Sequence, residues 1–71
     1  MLVRELAEAY EESADRILVR LRELREAMRA EEDPAAQFRL YRRMVRLWEI
    51  RRQTMETAAE LRRYERRDRR E

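Results

Sequence analysis

The chain has 71 residues, of which 48% are charged in both signs for a formal net charge of +2, with no Cys, no His, no Gly and a single Pro. Without Cys there is no disulfide and no thiolate ligand, and without His the usual zinc sites and the Glu-x-x-His di-iron motif are excluded as well. One small core of this length leaves only a few kcal/mol, so association is the staple that remains.

This composition suits long helices and not a sheet, and the near balance of charge argues against disorder. All eighteen basic residues are Arg and none is Lys. A demand for guanidinium groups would select some positions and not all of them, so a GC-rich coding bias is the simpler reading. The N-terminal stretch MLVRELAEAYEE is acidic. It holds no apolar run of signal-peptide length, and nothing along the chain approaches a membrane span. The expectation is a cytoplasmic protein.

From Val3 to Met28 the apolar positions keep a heptad. One row is Val3, Tyr10, Ile17, Leu24 and the other Ala7, Ala14, Leu21, Met28, with Leu6 and Leu18 widening the stripe. No breaker interrupts it, and Arg4/Glu8 and Glu12/Arg16 are spaced as i,i+4 pairs on its flanks. The spacing predicts a first helix over about residues 2–31.

Glu32-Asp33-Pro34 follows. Asp is a favoured N-cap and Pro a favoured first helical residue, while the residue before Pro is pushed out of the helical region. The turn therefore falls at 32–34, and a second helix runs from 34 to about 66. Two long helices joined this tightly lie antiparallel, as a helical hairpin. One kinked helix is the alternative. Equal rise on both arms sets Ala7 level with Ala58, Leu21 with Met44 and Tyr10 with Met55. Charge agrees, since residues 1–33 hold ten acids and six Arg, net −4, and residues 34–71 hold twelve Arg and six acids, net +6. The whole chain, 1–71, is thus expected to be one all-α hairpin domain, with a basic tail at 67–71 that frays. Glu65/Arg69 and Arg67/Glu71 would lend that tail local support.

The second helix carries the most information. In FRLYRRMVRLWEIRRQTM, residues 38–55, Leu40, Met44, Leu47 and Met55 form one apolar face, and Tyr41, Val45 and Trp48 form a second row beside it. Together they span about twice the width of an ordinary apolar stripe. Such a helix needs two neighbours, and the chain supplies one. A second copy would complete the core as a four-helix bundle, a homodimer of two-fold symmetry with Phe38, Tyr41, Val45, Trp48 and Met55 at its interface. The same aromatic and Met-rich face also suits helix-in-groove binding of a further protein partner.

Arg39, Arg42, Arg43 and Arg46 share a face opposite Trp48. On a rigid helix they could track phosphates, although solvated charge is the commoner role of such a run and no helix-turn-helix, basic zipper or zinc finger accompanies it. A basic helix with Trp and Phe opposite can also lie on a membrane, but the first helix already gives its apolar face a protein partner. Arg51 breaks the pattern. It falls within the apolar face, level with Ser13 and Ala14, where it must find Glu11, Asp15, a carbonyl or water, or else extend its head to solvent. A guanidinium held there would act as a polar layer that fixes register.

Catalysis has few tools. With no His, Cys or Lys, the common general base, thiol nucleophile and Schiff-base amine are missing, and Ser13, the only Ser, has no base nearby. The expectation is a protein that is not an enzyme and takes no cofactor, metal or small-molecule substrate. It reads as an interaction or assembly module, with a small nucleic-acid-binding bundle as the alternative.

The run PAAQFRLYRRMVRLWEIRRQTMETAAELRRYERR, after a first helix ending in LRELREAM, resembles small uncharacterised two-helix proteins of Firmicutes, often found in phage-like or mobile elements. The likeness covers most of the chain. It implies a helical hairpin and carries no established activity, and the Tyr-rich ending of that group is reduced here to Tyr64. The plasmid-encoded RNA-binding hairpin dimers of the Rop type are similar in architecture and share no motif with it.

Overall fold

The structure, a computed structural model, describes the backbone of residues 2–70 and the side chains of residues 2–67. It consists of two helices, α1 over Val3–Ala30 and α2 over Pro34–Arg70, with no strand among the described residues. They lie antiparallel in a rod with Cα extents of 58 × 15 × 14 Å, which rules out the single kinked helix.

The turn forms as its residues dictate. Asp33 Oδ1 accepts from the Ala35 N–H at 3.3 Å, and the Asp33 carbonyl accepts from the Gln37 N–H at 2.9 Å, so Asp33 caps α2 and Pro34 opens it. The end of α1 is satisfied from across the turn. The Gln37 side-chain amide donates to the carbonyls of Met28 at 3.2 Å and Glu31 at 2.7 Å, two of the acceptors that a helix C-terminus leaves open. At the other end of α1, Glu5 reaches back to the Leu2 N–H at 3.4 Å.

Gln37 on Met28 and Arg51 on Ala14 fix the register between the helices. It is the register expected from equal rise on both arms. Along α1 the inward row is Val3, Ala7, Ala14, Ile17, Leu21, Leu24 and Met28, and along α2 it is Leu40, Met44, Leu47, Arg51, Thr54, Ala58 and Leu61, all buried or half-buried. The α2 row advances in alternating steps of four and three, the seam of an antiparallel pair. Small residues at Ala7, Ala14 and Ala58 let the backbones approach closely. Among the described residues the fully buried core is therefore slight, comprising those three Ala with Leu21 and Leu24. Each Leu contributes about 1.5–3 kcal/mol by burial.

Tyr10, expected in the apolar row level with Met55, is 36% exposed and lies outside the inward row. Two further expectations change. Met55 does not join the inward row and is 47% exposed. Eight residues turn a helix by about 80° beyond two full turns, so the seam passes through Thr54 instead, and Met55 joins the Tyr41–Trp48 side. The second change is the length of α2, which continues to Arg70 and not to about 66. Its Arg- and Glu-rich end contains no breaker and is built from good helix formers. Glu71, and the side chains needed for Glu65/Arg69 and Arg67/Glu71, lie outside the described residues. On the surface of α1, the pairs among described residues are i,i+3, Arg20–Glu23 at 3.0 Å and Arg29–Glu26 at 3.2 Å, while Arg16 donates to the Ser13 hydroxyl at 3.2 Å.

Candidate functional site

Three faces of α2 do three different things. The seam faces α1. Turned about 110° from it on a 3.6-residue helix, Phe38, Tyr41, Val45, Trp48 and Met55 form a straight row. They are 58, 53, 48, 53 and 47% exposed, respectively. Phe38 and Tyr41 stack at the head of the row, ring centroids 6.5 Å apart. The next position in the row after Trp48 is Arg52, whose guanidinium is held between Glu49 and Glu56, the latter at 2.6 Å. That clamp holds the Glu49 carboxyl below its ordinary range, first through the hydrogen bond from Arg52 and then through its charge. It also pushes the Arg52 guanidinium up. Arg52 is the one charged residue in an otherwise apolar row.

The third face holds Arg39, Arg42, Arg43 and Arg46, all exposed and, among the described residues, in no ion pair. A shallow open groove along α2 has the aromatic row on one wall and these guanidinium groups on the other. Ile50, 42% exposed, borders it on the Arg side. The groove is lined by α2 alone, so α1 leaves this surface uncovered.

Arg51 sits in the seam, half-buried, and its Nε–H donates to the Ala14 carbonyl at 3.3 Å. Of the partners open to it, it takes a main-chain carbonyl. Glu11 is engaged elsewhere, accepting from Arg62 at 2.6 Å across the helices, while Arg62 also donates to Glu65 at 3.1 Å. Those hydrogen bonds, the Glu11 one foremost, raise the Arg62 guanidinium above its ordinary value.

The Glu11–Arg62 tie and the Gln37 cap were not read from the sequence. Both depend on which side chains the turn brings within reach of each other across the two helices. The Arg52 clamp carried a local signal, Glu at three residues before and four after, which the aromatic spacing overshadowed.

Among the described residues, no group of three or more Asp, Glu, His or Cys is placed to hold a metal ion, and no helix is long and apolar enough to cross a membrane. No protein-family model, curated protein or solved structure matches the chain.

Proposed function

We propose that the chain is a non-enzymatic interaction and assembly module whose folded unit is a homodimer, two hairpins joined as a four-helix bundle. One observation carries this reading. Among the described residues the hairpin buries three Ala and two Leu, yet leaves Phe38, Tyr41, Val45, Trp48 and Met55 about half exposed in one row. Large aligned apolar side chains outside a core this small mark a face that another surface covers.

The area fits a second copy. The accessible surface is 5954 Å², against about 4,800 Å² for a compact monomer of this mass. A hairpin face as long as α1, about 42 Å, and about 20 Å wide presents roughly 800 Å², the share that each partner contributes to a standard stable interface. Sedimentation equilibrium at micromolar concentration is expected to give twice the chain mass, with a melting temperature that rises with concentration. A cooperative melt independent of concentration, at the mass of one chain, would refute the dimer.

A second reading rests on Arg39, Arg42, Arg43 and Arg46, which have no ion pair among the described residues. Their face lies away from the Trp48 row, so a dimer leaves it free to follow the phosphates of a nucleic acid. Changing all four to Gln leaves folding nearly unaffected, because exposed charges contribute little. Tight, salt-dependent binding of labelled RNA or DNA that those changes abolish would favour this reading over the assembly module.

A further inference from the structure

The spacing of the exposed row of α2 is the same in both directions. Phe38, Tyr41, Val45, Trp48, Arg52 and Met55 are separated by alternating steps of three and four. The row is symmetric about a point between Arg46 and Leu47. A two-fold axis through that point, perpendicular to the helices, lays α2 antiparallel on its own copy. Val45 then meets the partner's Trp48, and Phe38 meets the partner's Met55. Tyr41 meets the partner's Arg52, whose guanidinium can lie on the ring.

The same axis crosses α1 near Leu18, given that Arg51 is level with Ala14 and Gln37 with Met28. Arg29 borders one recess with Phe38 and Tyr41, so its row of α1 flanks the aromatic row. Following that row in steps of three and four gives Glu8, Glu11 and Asp15 before Leu18, and Arg22, Arg25 and Arg29 after it. Acid fills one half and base the other. Leu18, the apolar residue between them, falls on the axis. An antiparallel copy of α1 sets Asp15 against the partner's Arg22 and Glu8 against the partner's Arg29. Among the described residues Asp15 and Arg22 have no ion-pair partner within the hairpin.

From these two coincident symmetries we infer the register of the dimer: α2 packs antiparallel on the partner's α2 about Arg46–Leu47, and α1 packs on the partner's α1 about Leu18. This rests on the dimer proposed above. The other two-fold arrangement, with α2 against the partner's α1, would press the aromatic row onto a row whose other members are charged. That would strip water from charges with no compensating partner. In the inferred register apolar meets apolar, Arg52 meets the Tyr41 ring, and the acidic half of the α1 row meets the basic half of its copy.

Two engineered chains test it. One carries Glu8→Arg and Asp15→Arg, and the other Arg22→Glu and Arg29→Glu. Each meets its own copy with like charges, so its dimer dissociation constant should rise at least tenfold over the wild type. Mixed in equal amounts, the two should recover the wild-type affinity, as a heterodimer of distinct mass by native mass spectrometry. Because the chain has no Cys, Phe38→Cys with Met55→Cys should also give a covalent dimer on mild oxidation. Phe38→Cys alone should not, since its two copies lie about 25 Å apart. A wild-type dimer whose charge-reversed chains still self-associate normally, or fail to pair with each other, overturns the register and leaves the dimer standing. A wild type that stays monomeric overturns both.

Discussion

Trp48 and Arg51 are three residues apart and lead opposite lives. Trp48 is 53% exposed on the hairpin, so truncating it takes little from one hairpin. Its effect is expected in the proposed dimer. Trp48→Ala is expected to weaken the dimer by about 3 kcal/mol, roughly a hundredfold in Kd, while the helix content of the monomer is kept. Wild-type indole emission should move to longer wavelength on dilution through that Kd, and emission already typical of an indole in water at micromolar concentration would disprove the placement. Arg51 sits in the seam on the Ala14 carbonyl, where a Leu would continue the apolar row. Arg51→Leu is expected to raise or preserve the melting temperature while yielding mixed oligomers, since a polar seam residue restricts register at some cost in stability. One unchanged oligomeric state with an unchanged melting temperature would deny Arg51 that role.

At the scale of the element, α2 is organised by where its charges are held as much as by its apolar rows. The Glu49–Arg52–Glu56 clamp is exposed and local, and the Glu49 carboxyl lies below its ordinary range because Arg52 binds it. A depressed carboxyl stabilises the folded state above its ordinary pKa, and this contribution disappears as pH falls through the folded value. Glu49→Gln should therefore melt slightly below the wild type at neutral pH, and the two should converge once Glu49 is protonated. Curves that stay parallel into acid would show that the clamp contributes nothing. Most of this element was legible in the sequence. The Asp33-Pro34 start, the inward Leu40, Met44 and Leu47, and the separate Trp48 row all follow from residue type and helical spacing. Met55 was misplaced because one apolar residue eight positions on looks like a continuation of a face that the seam had already carried to Thr54. Gln37 and Arg62 were invisible to local spacing, since their partners at Met28 and Glu11 belong to the other helix.

As a whole, the molecule is a thin rod, and its surface exceeds that of a compact protein of equal mass. The two helices also differ in length, 28 residues against 37. Past the level of Val3, α2 continues alone, with the Arg67 guanidinium 5.6 Å from the centre of the Tyr64 ring. In the inferred dimer the two turns lie at opposite ends. Each basic overhang then projects past the partner's turn, so the assembly is longer than either hairpin and carries positive charge at both tips. What the sequence left open at this scale was how the rows of the two helices lie together. A heptad states that a face must be covered, and which rows of α1 and α2 lie side by side on that face follows only from the hairpin register.

The three-residue turn at 31–33 also sets an order of events in time. The Gln37–Met28 contact closes a separation of 9 residues, Arg51–Ala14 one of 37, and Arg62–Glu11 one of 51. Between the first and the last, the entropy of loop closure rises by about 1.5 kcal/mol. The hairpin should therefore zip from its turn towards its open end, and its transition state should be polarised accordingly. Leu24→Ala, near the turn, is expected to slow the concentration-independent folding phase, with a φ-value above about 0.5. Leu61→Ala, near the open end, should act mainly by speeding unfolding. Stopped-flow chevrons of the two variants decide it, and equal or reversed φ-values would mean that folding starts elsewhere along the rod.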